Sequence, residues 1–450
     1  MVRKWLARDV HQRFVGKLFL SGSSGLSLLK YEFLRYRLVN GAFTLLCFGL
    51  APWAGSAVTV VFLAGAIWCI LHIAFGRPSL SADESQYALF VPLLGYCVAS
   101  AVSTAANADS GSEAALRMVP LMTFLVMPFS YSIWSISEKS TIALMGVIGS
   151  ILACYGALIT ALVQFYWLDI RAEGGAGNPL VFALVTCIAG AVALSGLALE
   201  RRGLTLAICL AWLSAFLAIT FSEARTVWLT FLVVSAVVLW VNRAAPTTGL
   251  TIPRGSRWVM VVSCVATVAA ILLACEIIFQ RWELAISDWR LALAGNFDTA
   301  VGQRIAMWEI GTDLFSRRPF LGYGLDSAKS LLGHALPAAG VSTNFTHFHN
   351  GMLTVAVESG GVGLAFLVTF FAVGLVIASR VFARASSPVE RVGATILLVT
   401  MLVYFLSGMT NLIVGHDILD AVLMICVIVG VYLGDGTSSL TTQLMKDDSE

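Results

Sequence analysis

The chain has 450 residues, 58% of them hydrophobic and only 12% charged, against about 25% charged in an ordinary soluble domain. Its formal net charge of +2 gives no electrostatic footprint for nucleic acid. Repeated apolar runs exclude a string of soluble domains and point to an all-α polytopic membrane protein.

Residues 1–37 carry eight Lys/Arg spread among Trp5, Phe14, Leu18 and Phe19. They read as a cytoplasmic basic amphipathic arm on a membrane surface, or as a disordered basic tail. No small-residue cleavage site follows, so the arm is not a signal peptide. About twelve apolar stretches come next: 38–53, 55–76, 86–106, 118–134, 141–167, 179–199, 204–223, 225–242, 258–279, 358–379, 392–414 and 418–434. Pro52 and Gly55 make the first pair either a hairpin or a broken helix. The expected division is an arm (1–37), spans one to nine (38–279), an outer loop (280–357), spans ten to twelve (358–434) and a cytoplasmic tail (435–450). All nine cysteines lie in apolar runs without a CxxC pair, which suits small apolar packing.

Even span parity puts both termini on one side. That side would hold nineteen Lys/Arg and the other nine, so the termini are expected in the cytoplasm and 280–348 outside. Ionisable residues within spans, among them His72, Glu223, Arg225 and Glu276, sit near span ends. An ion-coupled transporter normally needs charges at membrane depth.

The 280–348 segment has six Lys/Arg and six Asp/Glu. Val301, Ile305, Trp308 and Phe315 recur at helical spacing up to Pro319, which predicts two or three short helices on the outer membrane face. Gly322-Tyr323-Gly324 lacks the strand–glycine–helix setting of a phosphate loop and reads as a tight turn. Arg225 falls in Ser222-Glu223-Ala224-Arg225-Thr226, where two apolar runs meet. It is either an interfacial arginine, paired with Glu223 or snorkelling, or a fixed guanidinium for phosphate. Arg304 lies on the rim of the amphipathic helix and Arg171 in a glycine-rich loop before Pro179; a solvated face and a plain turn are their bland readings.

His349-Asn350 is followed nine residues later by Gly360 and then by Gly363. A helix over 349–363 would place both glycines near the azimuth of the imidazole, leaving an open face beside it. His347 is close enough to be the reactive imidazole instead. This His-Asn, nine, Gly, two, Gly pattern, at the end of a long polar loop between apolar spans, resembles the histidine motif of bacterial O-antigen ligases, a superfamily shared with O-antigen polymerases. The similarity covers about 170–415; the N-terminal third matches only as apolar spans.

The resemblance implies a GT-C-like glycosyltransferase of the inner membrane with its active site facing the periplasm. The donor would be an undecaprenyl-pyrophosphate-linked glycan and the acceptor a lipid A–core sugar hydroxyl. His349 would be the base. Arg225, Arg304 and, beside them, Arg171 would hold the pyrophosphate, with Asn350, Gly360 and Gly363 as supporting motif residues. No outer segment contains Asp-x-Asp, and His416, Asp417 and Asp420 stand alone in a short loop. Metal-independent, cofactor-free chemistry is therefore expected, with arginines in the place of a divalent ion. A polymerase using a second lipid-linked glycan as acceptor remains open, as does a polysaccharide-lipid transporter.

Overall fold

The computed structural model describes residues 38–74, 83–135, 137–243, 257–341, 343 and 345–435, and among these every regular element is helical. The expected arm over 1–37 and nearly all of the 435–450 tail lie outside the described residues.

The α-helices in order are α1 (Leu38–Gly49), α2 (Ala51–Ala54), α3 (Ala57–Ala74), α4 (Glu84–Asn107), α5 (Gly111–Met118), α6 (Met122–Leu125), α7 (Met127–Ser135), α8 (Lys139–Tyr166) and α9 (Pro179–Ser195). They continue with α10 (Arg202–Phe221), α11 (Arg225–Arg243), α12 (Arg257–Leu293), α13 (Ala300–Arg317), α14 (Ser327–Ala335), α15 (Gly351–Arg384), α16 (Pro388–Gly408) and α17 (Asp417–Gly434). Nine helical stretches among the described residues are long and apolar enough to cross a bilayer. They are α4, the α5–α7 stretch Gly111–Ser135, α8, α9 with its extension to Leu199, α10, α11, α15, α16 and α17. Leu38–Gly49 and Ala57–Leu71 are shorter apolar helices. The chain is a polytopic all-α membrane protein.

Local signals set the helix starts. Asn178 accepts from the Leu180 N–H at 2.9 Å ahead of Pro179, and Ser387 accepts from Glu390 at 3.2 Å ahead of Pro388, each an N-cap followed by a proline that needs no donor. In α17 and α9, 94% and 89% of the apolar window is buried within the protein, so these two helices form the centre. Asp420 on α17 is fully buried, and both its carboxylate oxygens accept the Gly415 N–H at 3.1 Å. The acid is thus occupied in closing the 409–416 loop.

Alternating helix direction gathers the 167–178, 222–224, 294–350 and 409–416 connections at one end of the bundle. At the opposite end Lys139 donates to the Asp435 carbonyl and Asn40 to the Ile133 carbonyl at 3.2 Å.

The outer segment begins differently from the expectation. α12 runs unbroken through residue 280 to Leu293, about 55 Å at 1.5 Å per residue. Then α13 and α14 follow, as the periodicity suggested. They build a small core of Ala306, Met307, Ala328, Leu332, Leu336, Val341, Phe348 and Val357. Phe348 and Val357 flank and open α15, so this core is seated on the segment that carries His349.

α15 is broken at Gly360, with φ 67° and ψ −176°, a conformation open essentially to glycine alone. The freed groups are paired by the 319–324 strap. Tyr323 and Gly324 N–H donate to the Val357 and Glu358 carbonyls at 2.9 and 2.8 Å, and Gly361 N–H donates to the Pro319 carbonyl at 2.7 Å. A Cβ on Gly360 would lie 2.0 Å from the Phe320 carbonyl oxygen. This corrects the expected continuous face. His349 precedes the helix, Asn350 is its N-cap with Oδ1 accepting Leu353 N–H at 3.1 Å, and Gly360 admits protein backbone. Gly363 has Ser359 and the α4 residue Ala99 beside it. Neither glycine leaves an open face next to the imidazole.

Candidate active site

The turn between α10 and α11 is three residues long. Ser222 Oγ donates to the Ile219 carbonyl at 2.6 Å, the Trp228 indole donates to the same carbonyl at 3.0 Å, and Glu223 takes φ 59°. Left-handed φ at a non-glycine residue is uncommon and persists only where the surroundings enforce it. The turn delivers half-buried Arg225 at the first position of α11. A cation there opposes the helix dipole, so the site is disposed toward an anion.

The glycine-rich loop is stitched to this turn. Ala172 N–H donates to the Phe221 carbonyl at 3.0 Å, and Arg171 Nε and Nη2 donate to the Ser222 carbonyl at 3.1 and 2.8 Å. Gln164 Oε1 accepts the N–H groups of Glu173 and Gly174 at 2.9 and 2.8 Å. Arg171 is therefore held by the turn that carries Arg225.

On α13, Thr299 caps the helix by accepting Gly302 N–H at 3.1 Å. Arg304 sits in its first turn, with Nη1 donating weakly to the Ala300 carbonyl at 3.4 Å. Its Nε is buried with no hydrogen-bond partner. Burial first, then repulsion from Arg225, lowers the Arg304 pKa, while Asp288 acts the other way. Burial and then Arg225 do the same to Arg171. Arginine stays charged in all these settings, so the three guanidiniums form one cationic group around Arg225.

His349 adopts φ 48°. α13 fixes the residue before it: the Trp308 indole donates to the Phe348 carbonyl at 3.1 Å, and fully buried Phe348 fits against α13 because residue 311 is glycine, where an added Cβ would meet the Phe348 ring at 2.9 Å. The imidazole packs edge-on to Phe345, with centroids 5.3 Å apart, and tilts against His347 at 4.4 Å. Its Nδ1 is buried without a hydrogen-bond partner, as is His347 Nε2. Burial first, then His347, then Arg304 push the His349 pKa down to about 3. Burial and then His416 push His347 down to about 4. His416 comes from the 409–416 loop, whose Asn411 and Ile413 press on Gly351, and its Nδ1 lies 3.3 Å from the Asp417 carboxylate.

The structure thus brings together Arg171 from the 167–178 loop, Arg225 from the start of α11, and Arg304 and His349 from the 294–350 connection. Asn350, Gly360 and Gly363 support the backbone around them. Two members of the group were not picked out as site residues in the sequence. Glu223 pairs with Arg171, Nε to Oε2 at 3.1 Å, and with Arg281 of α12, rather than with its neighbour Arg225. The available signal for Arg281 was its place two residues beyond the apolar run 258–279. Among the described residues no group of three His, Cys, Asp or Glu has the arrangement of a metal site.

Fold and site together define a polytopic membrane protein with a cationic cradle and a half-buried, neutral histidine pair at one end of its bundle. Residues 208–368 match the family model described as O-Antigen ligase, and this match supports membership of the chain in the O-antigen ligase superfamily. The matched segment contains Arg225, Arg281, Arg304 and His349 and leaves Arg171 outside. It supports a ligase- or polymerase-type, glycosyltransferase-like function in a membrane, acting on lipid-linked glycan. No curated protein matches the chain.

Proposed function

We propose that the protein is an inverting, metal-independent glycosyltransferase of the inner membrane, transferring a glycan from undecaprenyl pyrophosphate to a lipid A–core sugar hydroxyl at the periplasmic face. The observation that supports this most strongly is the convergence of three guanidiniums and an imidazole whose buried Nδ1 has no hydrogen-bond partner. Arg225 and Arg304, with Arg171, hold the pyrophosphate through charge-assisted bidentate contacts and take up the charge that builds on it as it leaves. His349 accepts the proton of the acceptor hydroxyl as its oxygen attacks the anomeric carbon and the bond from that carbon to the pyrophosphate oxygen breaks. The direct displacement inverts the centre.

The depressed His349 pKa keeps the imidazole neutral, the form that can take a proton. A base works best when its pKa lies near the operating pH. A bound donor acts in that direction: burial and His347 depress the imidazole most, and the donor's negative charges offset the third cause, the repulsion from Arg304, so basicity rises while donor is bound. The orientation rests on the nineteen-to-nine Lys/Arg asymmetry of the sequence.

A polymerase would use the same donor and cradle with a second lipid-linked glycan as acceptor. The deciding experiment is the lipopolysaccharide ladder of a deletion strain. Loss of every capped form supports the ligase; retention of core carrying one repeat overturns it in favour of the polymerase.

A further inference from the structure

The Glu223 carboxylate is at first sight misplaced, since a negative charge inside a phosphate cradle opposes the ligand. Its geometry explains it. A single oxygen, Oε2, receives both Arg171 Nε at 3.1 Å and Arg281 Nη2. The carboxylate side chain is 11% exposed, while the guanidinium side chains are 46% and 30% exposed. The acid lies beneath and the two cations face outward. Three elements meet there: the loop after α8, the α10–α11 turn and the outer half of α12. Arg171 is additionally fixed by the Ser222 carbonyl. Burial and then repulsion from Arg171 act on Arg281, so without the acid the two guanidiniums push each other apart.

We infer that Glu223 is a positioning residue that holds Arg171 and Arg281 side by side as a second arm of the pyrophosphate site, and that Arg281 is a fourth phosphate-binding cation. This rests on the donor reading given above. The left-handed φ of Glu223 belongs to the same device, because it turns the carboxylate toward the loop and α12 and leaves Arg225 unpaired for ligand.

The test uses the full-length protein in lipid nanodiscs with EDTA present. Inorganic pyrophosphate is the probe, followed by its inhibition of turnover and by direct calorimetric binding. The variants are E223Q, R281Q and the double variant, with melting temperature as a check on folding. E223Q keeps the shape of the side chain and removes its charge. The expected result is about tenfold weaker pyrophosphate binding in each single variant, the usual scale for one charge-assisted hydrogen bond. The double variant should also lose about tenfold, because the two residues act as one unit. E223Q should raise the donor KM far more than it lowers kcat, whereas a merely structural role would lower the melting temperature and kcat together. Tighter pyrophosphate binding in E223Q, or a hundredfold additive loss in the double variant, would overturn the positioning role while leaving the donor site standing. Failure of the unaltered protein to bind pyrophosphate at all would overturn both.

Discussion

His349 is held off the helix it precedes, at φ 48°, against a second imidazole 4.4 Å away. On the mechanism proposed above, replacing it separates base from binding. A general base contributes about 10²–10⁴-fold to rate, so H349A should lower turnover by that order in a lipid-linked donor assay while donor affinity stays close to that of the parent. Retention of turnover within about threefold, well short of a base's share, would transfer the role to His347. R225K should not restore R225A, because an ammonium lacks the planar fork. The electrostatics also predict a pH signature. Arg304 disfavours the imidazolium, so it lowers the His349 pKa, and burial and His347 act in the same sense. The acid limb of kcat/KM, which reports the free enzyme, should therefore lie below the ordinary histidine value of about 6.5. R304Q removes one positive neighbour and should move that limb upward, toward neutrality, whatever it does to the absolute rate. A limb that stays in place or moves down would show that another group sets it.

At the scale of elements, the most consequential contact is the strap over the break in α15. G360A should be costly. The conformation at Gly360 is open to glycine alone, worth about 1–3 kcal/mol of strain for another residue, and the new Cβ meets the Phe320 carbonyl at 2.0 Å. A lowered melting temperature, with faster amide exchange over 319–324, is the expected outcome; unchanged exchange there would mean that the strap does not depend on the break. This element was hidden in the sequence. Apolar periodicity runs straight through 351–384, and two adjacent glycines in a helical pattern do not announce whether they free a face or admit another backbone. α13 was legible, because Trp308 and Phe315 recur at helical spacing and Pro319 stops the run. The position of Arg225 was legible for a different reason, since a charge at the border of an apolar run is conspicuous. What those arginines touch was not. The Glu223–Arg281 pair joins residues 58 apart in the chain, and only packing of α12 on α10 creates it. The adjacent Glu223 and Arg225 invited a local pairing that the turn prevents by pointing them apart.

At the scale of the whole molecule, alternating helix direction puts every member of the cradle at one end of the bundle. A cysteine introduced at exposed Ser330 on α14 tests which side that is. It should react with a membrane-impermeant thiol reagent once the outer membrane is permeabilised, measured against the parent protein because exposed Cys275 is a native thiol. Labelling that requires lysis of the inner membrane would reverse the orientation. The cradle also predicts turnover in excess EDTA, with arginines supplying the positive charge that a divalent ion would otherwise bring. Activity lost to EDTA and restored by magnesium or manganese would refute that.

The break at Gly360 bears on how such proteins could be recombined. The outer segment and the membrane helix exchange backbone hydrogen bonds in both directions across residues 319–324 and 357–362. Neither partner can be replaced alone without stranding donors and acceptors beside the lipid, where each unmet group costs several kcal/mol, of order 1–3 even by protein-based measures. A chimaera that trades the outer loop for that of a relative should therefore fail when spliced at the apparent membrane border near 350 and fold when spliced beyond 363. The heritable module in this architecture is the loop together with the opening third of the helix that follows it, and a crossover inside that stretch would be purged before any difference in activity could be expressed.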